Sequence, residues 1–467
     1  MAERCKLGDP ALHLGRASIG AVSVQATVTD LGPAGTIATG ICFLDHMIDQ
    51  LTSHAQIGTS LCANVEGLDM KPREDYSSAY SMAVRPHDKA IFEASGAALG
   101  GALLSLVESL VPPAAKPSAR ATFCCPLDEA LAEAILELEA AAPKLTFALA
   151  PYGTRPKAGR EWIGRYRTEL TEVFWRGLVG TLRADLSLRK VRGDNAHHIV
   201  ESAFKAFSRA LRASLDRASA VVEPQCGPAA NGAEAPATKR QKTLGSPSAR
   251  LASRSRSTKE TSIEVKVDLD SETSEKDTIS TGVVVLDSVL ADLRRSSGFA
   301  IAVRCDGDRY IDDHHTTEDV SITLGQCLHE ALGDKKGLAR MAFADVTHGA
   351  ARVRVVVDLS NRPHFECDLE LDEEFVGGAA SVKEHDDGTV AGRLLSCEML
   401  LHAFESLALE ARATVHLEQL ARGEGPGYTL ELALAAARAY GAALGACATV
   451  DPRRAGKVAS SKGTLSV

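Results

Sequence analysis

The sequence is duplicated, so it must fold as two copies of one unit. Thr39-Gly40 followed by Leu44-Asp45 returns as Thr281-Gly282 followed by Leu286-Asp287. Alternating strand-like runs, SVQATVTDL and SIEVKVDLD, precede the two sites. EASGAALGGAL, from Glu93, returns as EDVSITLGQCL, from Glu318, with the Leu-Gly pair at the same offset. ARVRVVVDLS and CDLELD read as further strands, and FKAFSRALRASL, CEMLLHAFESLALEA and YTLELALAAARAYGAAL have helical periodicity. Strands mixed with amphipathic helices in each copy predict an α+β fold, a tandem pair of two-layer α/β sandwich units with mixed sheets covered by helices.

Between the copies, from about Ala218 to Thr258, bulky apolar residues almost vanish and Ala, Ser, Pro, Gly and basic residues take over. Such a segment cannot offset its ordering entropy by burial. The reading is a first unit at 1–217, a flexible linker at 218–257 and a second unit at 258–467. Lys239-Arg240-Gln241-Lys242 within it reads as solvated linker charge rather than an import signal.

Composition removes other classes. Lys+Arg 52 against Asp+Glu 61 leaves a net charge of −9, and aromatic residues make up 4%, which argues against nucleic acid as a partner. No apolar run reaches the ~20 residues of a membrane helix, so no membrane is expected. The start, MAERCKLGDPALHLG, lacks a secretory profile, and the eleven cysteines contain no C-x-x-C pair, which points to free thiols in a reducing compartment. Cytoplasm is the expected location, with a plastid as the alternative.

The chemistry concentrates in FLDHMIDQLTSH (Phe43 to His54), GDNAHHIVESAFKAF (Gly193 to Phe207), DDHHTTED (Asp312 to Asp319) and ATVHLEQL with His416. In both HHxxE segments the first histidine and the glutamate are four apart, which on a helix puts them on one face. Imidazole with carboxylate suits Mn²⁺, Fe²⁺, Zn²⁺ or Ni²⁺, and the lack of nearby Cys argues against structural zinc. One HH pair alone is more often a solvated or satisfied core feature. Two HHxxE motifs among 14 histidines make metal binding the better account. His87, His329, His348, His364, His385 and His402 have no partner pattern and read as structural.

FLDHMIDQLTSH, DDHHTTEDVSITLGQCLHEALGDKKGLAR, DNAHHIVESAFKAFSRAL, SNRP and the terminal SSKG together resemble imidazoleglycerol-phosphate dehydratase. The resemblance covers both copies, nearly the whole chain outside the linker. It implies a unit itself built from an internal repeat, two manganese ions per complete site, and a large homo-oligomer. The implied reaction is the dehydration of imidazole glycerol phosphate to imidazole acetol phosphate in histidine biosynthesis. A shell of twenty-four family units would here take twelve chains.

The copies depart from that pattern in complementary ways. Lys89 and Ala90 stand where the second copy has His314 and His315, although Glu93 remains; Ser187 stands where it has His416, and Gly20 near the place of Glu260. Conversely Ser288 and Ser296 stand where the first copy has His46 and His54, and GEGPGYTLE replaces GDNAHHIVE. By resemblance the metal ligands are His46, His197, His198, Glu201, His314, His315, Glu318 and His416. Glu260 is the implied proton carrier, with Glu201 and Glu318 counted beside it as catalytic carboxylates. Gln50, His54, Lys205, Arg340, Arg362, Ser460, Ser461 and Lys462 would bind substrate, the cations on its phosphate. Asp45, Asp312, Asp313 and Asp319 would orient ligand imidazoles.

The implied product is one composite active site per chain, drawn from both units. Two other readings stay open at this point: a catalytically dead scaffold or regulatory paralogue, and a different di-metal enzyme acting on phosphate esters.

Overall fold

Period-two alternation builds the sheets. Val22, Val24, Ala26 and Val28 turn inward while Ser23 and Gln25 face out, and Ile263, Val265 and Val267 repeat the pattern in the second copy. The computed structural model describes residues 11–71, 77–110, 120–138, 142–218, 250–271, 277–309, 311–378, 394–425, 427–454, 456–460 and 464–465. They form two compact units, each taken by itself below.

The first unit runs β1 (His13–Ile19), β2 (Val22–Asp30), β3 (Ile37–Ala38), α1 (Cys42–Ala55), β4 (Ile57–Val65), α2 (Ser78–Val84) and α3 (Asp88–Leu110). It continues with β5 (Arg120–Leu127), β6 (Ala130–Glu137), β7 (Lys144–Ala148), a small hairpin of β8 (Trp162–Ile163) and β9 (Tyr166–Arg167), α4 (Thr171–Leu182), β10 (Asp185–Arg192) and α5 (Ala196–Ala218). The second unit runs β11 (Leu251–Ser257), β12 (Thr261–Asp268), β13 (Ile279–Ser280), α6 (Val284–Ser297), β14 (Ala300–Gly307) and α7 (His314–Leu332). Its other half is β15 (Met341–His348), β16 (Ala351–Asp358), β17 (His364–Cys367), α8 (Cys397–Glu410), β18 (Thr414–Ala421) and α9 (Tyr428–Cys447).

Apart from the inserted α2 and β8–β9 hairpin of the first unit, the four halves repeat one βββαβα order, and their sheets repeat one topology: β1-β2-β4-β3, β5-β6-β10-β7, β11-β12-β14-β13 and β15-β16-β18-β17. In each, the outer pair on one side is antiparallel and the last pair parallel, so the sheets are mixed, as expected. The Thr-Gly and Leu-Asp pairs that betrayed the repeat share one task. Asp45 accepts hydrogen bonds from Thr39 N (2.8 Å) and Oγ1 (2.6 Å), and Asp287 accepts from Thr281 N (2.8 Å) and Oγ1 (2.7 Å), so each fastens the chain entering its helix.

Helices meet across the halves at two seams per unit. In the first unit α1 packs on α5 and α3 on α4; in the second α6 packs on α9 and α7 on α8. At the α3–α4 seam a Cβ on Gly96 would stand 2.0 Å from Phe174 O and one on Gly177 2.5 Å from Glu93 O, so the backbones touch. The α6–α9 seam is equally close, with 2.2 Å from Gly441 to Leu293 O. The α1–α5 seam has no glycine.

Two expectations need correction. Leu251–Ser257, read as linker, is a strand paired with β12 from Leu251↔Asp268 to Ser257↔Ser262. It is an edge strand whose LASRSRS sequence buries Ala252 and sets Arg254 and Arg256 at the same alternation to pair with Glu330 and Asp319 of α7, so arginines stand where a covered strand would show apolar residues. Residues 219–249 of that segment lie outside the described residues. Also, Ala79–Leu110 and Tyr428–Cys447 are long and apolar enough by composition to cross a membrane, contrary to the run-length reading; 67% of each window is buried within the fold, which explains the composition as core.

Candidate metal centre

The first unit gathers its ligand candidates at the α1–α5 seam. The ligand atoms of His46, His197 and Glu201 all lie within 4.8 Å of one another, and this is the one such His/Cys/Asp/Glu group among the described residues. Glu201 Oε2 stands 2.9 Å from His197 Nε2 and 3.7 Å from His46 Nε2, while its Oε1 accepts from Lys205 Nζ at 2.7 Å. Helical spacing of four sets His197, Glu201 and Lys205 on one face of α5, and His46 and Gln50 on the facing side of α1. Gln50 Nε2 lies 3.4 Å from His46 Nε2, and the Phe43 ring packs edge-on to His197 at 4.8 Å.

Burial alone would favour a protonated Glu201. The Lys205 ammonium and the hydrogen bonds from His197, His46 and Lys205 outweigh it and hold the carboxyl well below the usual range. The carboxylate is thus an anion in a pocket that leaves both histidines partly open, a donor set that fits a divalent cation. His198 turns aside: its Nδ1 is 2.8 Å from Glu129 Oε2, and burial of Glu129 is outweighed by His198 and Asn195, which hold its carboxyl down to about 2. His54 continues the same face of α1 but is buried, 2% exposed, two turns beyond His46.

The second unit places its candidates on the other kind of seam, α7–α8. His314 Nε2 is 3.6 Å from Glu318 Oε2, and Glu318 Oε1 is 3.1 Å from His402 Nε2, a histidine read above as structural. His315 Nδ1 lies 3.0 Å from Asp308, and this bond, more than any other cause, raises its pKa; Nε2 is 3.9 Å from Glu260, which sits exposed in the β11–β12 turn. His416 is fully buried in β18, its ring 6.1 Å from that of His364.

The anion-binding candidates divide likewise. Arg340 is buried and gripped by Asp358 through Nε (2.7 Å) and Nη2 (2.8 Å), while Nη1 donates to Ala459 O (2.5 Å), the residue before Ser460. Arg362 follows β16 in a loop whose backbone is held by Ser360 and Thr414. Ser461 and Lys462 lie outside the described residues.

The four aspartates expected to orient imidazoles have partners of another kind. Asp45 holds Thr39, Asp312 accepts from His314 N, Asp313 accepts from Ser396 N and Oγ, and Asp319 holds Thr261 Oγ1 and pairs with Arg256. Beyond the glutamates of the HHxxE motifs, the carboxylates that meet the Nδ1 atoms of motif histidines are Glu129 at His198 and Asp308 at His315. Each stands in or next to a strand-end turn, far in sequence or outside the helical spacing, where no motif pointed.

Repeated βββαβα halves with imidazoles and carboxylates clustered on their helical seams define a class of α+β protein equipped to hold a divalent metal. The family model described as imidazoleglycerol-phosphate dehydratase matches the chain twice, at residues 39–211 and 281–444. The chain belongs to that family, whose members are named as dehydratases, that is, hydro-lyases. An imidazoleglycerol-phosphate dehydratase of Gloeobacter violaceus is 37% identical over 216 residues, 46% of this chain and 98% of that one. One of Pyricularia oryzae is 40% identical over 198 residues, 42% of this chain and 79% of the relative. The solved dehydratase of Pyrococcus furiosus covers 45% of this chain and 99% of its own at 26% identity, with a TM-score of 0.35.

Proposed function

We propose that this chain is an imidazoleglycerol-phosphate dehydratase of histidine biosynthesis with one composite, Mn²⁺-dependent site per chain, built from residues of both units. One observation carries the reading: the two units keep opposite seams. The first furnishes His46, His197 and Glu201 at α1–α5, and the second furnishes His314 and Glu318 at α7–α8. Loss without function would strip ligands from both units at random, whereas here each loss is matched by a retained counterpart.

His46, His197, His198 and Glu201 would hold metal from one side and His314, His315, Glu318 and His416 from the other. The metal, when bound, supplies a Lewis acid that makes the substrate's imidazole an electron sink. The chain's own groups do the rest. Lys205 keeps Glu201 ionised, and Glu129 and Asp308 fix ring orientation through Nδ1. Gln50 supplies an amide beside His46 for substrate contact. Glu260, exposed with Oε1 3.9 Å from His315 Nε2, would move a proton at the substrate's carbon or hydroxyl. Arg340, Arg362, Ser460 and the neighbouring Ser461-Lys462 would grip the phosphate. A twelve-chain, twenty-four-unit assembly is part of the same proposal.

The test is turnover of imidazole glycerol phosphate by the full-length chain with Mn²⁺, compared with His197→Ala and His314→Ala. Both substitutions should abolish activity, although they lie in different units. Two independent sites, or one unit acting alone, would leave one variant active and overturn the composite site. A folded, Mn²⁺-loaded wild-type chain without turnover would overturn the dehydratase reading. Co-expression of the two variants then assigns the pairing: about a quarter of wild-type activity returns if facing units belong to different chains, and none if they belong to one.

A further inference from the structure

Lys335 is 1% exposed, in the turn that follows α7. Its Nζ donates to Asn361 Oδ1 at 2.6 Å and to Arg412 O at 3.4 Å, a neutral amide and a neutral carbonyl. Burying an ammonium without a hydrogen-bonded carboxylate is costly, and a methionine would fill such a space more cheaply. The charge therefore needs a reason other than packing.

The loop it holds supplies one. Asn361 takes a left-handed conformation, φ 61°, and its own N–H donates to Arg412 O at 3.1 Å, so Lys335 and the loop converge on one carbonyl. The next residue is Arg362, whose N–H donates to Ser360 Oγ (3.0 Å) and whose carbonyl accepts from Thr414 Oγ1 (2.9 Å). At the loop's other end Asp358 chelates Arg340, and Leu359 N donates to Arg340 O at 3.0 Å. One short loop thus carries Arg362, braces Arg340, and is pinned in its middle by Lys335.

We propose that Lys335 is a positioning residue for phosphate binding: its ammonium fixes Asn361 and hence Arg362, and places a buried positive charge behind the two arginines. This rests on the reading of Arg340 and Arg362 as phosphate ligands. The groups facing the amine are Asp358 at the end of β16, Arg340 before β15, Arg412 before β18, Cys447 at the end of α9 and His329 of α7. Burial brings the amine down to about 8; Asp358 opposes that and the arginines add to it. A bound dianion favours the protonated amine, so by reciprocity the protonated amine favours the dianion. Phosphate affinity should fall as pH rises through that value.

The experiment measures KM for imidazole glycerol phosphate and the inhibition constant of inorganic phosphate, at saturating Mn²⁺ and from about pH 7 to about pH 9.5, on full-length wild type, Lys335→Arg and Lys335→Met. Wild type should show both constants rising about five- to tenfold across the range. Lys335→Arg, which stays charged, should hold both flat, and Lys335→Met should raise both at every pH while kcat stays within about twofold. Flat wild-type constants, or a Lys335→Met effect confined to kcat, overturn the proposal; the wild-type and arginine profiles decide even if the methionine variant does not fold. Arg362→Ala separates the two layers. If it leaves the phosphate constant unchanged, the phosphate-site reading fails; if it raises the constant and Lys335→Met does not, the failure belongs to Lys335.

Discussion

Glu129 and Glu260 occupy corresponding hairpin turns in two of the four halves, and each faces the second histidine of an HHxxE helix. Glu129 closes the β5–β6 turn with Oε2 2.8 Å from His198 Nδ1, and Glu260 stands in the β11–β12 turn with Oε1 3.9 Å from His315 Nε2. The first is locked to a ring nitrogen and to Asn195 N; the second has Asp308 to take over the ring's Nδ1. The same position in the repeat thus serves ring orientation in one unit and leaves an exposed carboxylate in the other.

Glu129→Gln removes the ionised partner of His198. Mn²⁺ affinity should drop about 10–100-fold with the circular dichroism spectrum unchanged. A metal titration followed by electron paramagnetic resonance reads this; an unchanged affinity would show that the His198–Glu129 bond is unrelated to metal.

Glu260→Gln should spare metal binding and KM while lowering kcat by about 10²–10⁴-fold, the ordinary worth of a proton-transfer group. A KM change with kcat intact would reassign Glu260 to substrate binding.

Acid should loosen the metal-free first unit in a definite window. Glu129 and Glu201 are held below their unfolded values, so their contribution is present above about pH 4.5 and is lost as pH falls toward about 2. Thermal melts of the metal-free chain across this range should show a falling Tm, less steep in Glu129→Gln. Equal slopes in both proteins would remove Glu129 from the account.

Asp358→Asn leaves Arg340 buried without its bidentate carboxylate. The expected cost is about 3–5 kcal/mol, far more than for an exposed pair. Denaturant unfolding measures it, and a loss under about 1 kcal/mol would mean that Arg340 finds another partner.

Repetition made the fold legible. Thr39-Gly40 and Thr281-Gly282 stand out in sequence because each fastens a helix start to an aspartate six residues on, a local geometry that tolerates few alternatives. The HHxxE spacings likewise reported real helix faces. What stayed hidden depends on chain distance or on a covered edge. Glu129 lies 69 residues from His198, and His402 lies 84 from Glu318, contacts made by turns and seams rather than by spacing. β11 was missed because an edge strand need not alternate apolar residues. Asp45 shows the limit of a motif, which marks a position but not every group its side chain serves: its Oδ1 holds Thr39.

At the seams without the histidine sets, α3–α4 and α6–α9, backbones touch at Gly96 and Gly177 and at Gly441 and Gly445, but at the histidine-bearing α7–α8 seam a Cβ on Gly325 would likewise stand 2.9 Å from Leu407 O. Ser288 and Lys89 are both exposed, so packing leaves room for an imidazole at either position. What stands between this chain and two self-sufficient copies is the number of positions to be changed together: Lys89, Ala90 and Ser187 in the first copy, Ser288 and Ser296 in the second.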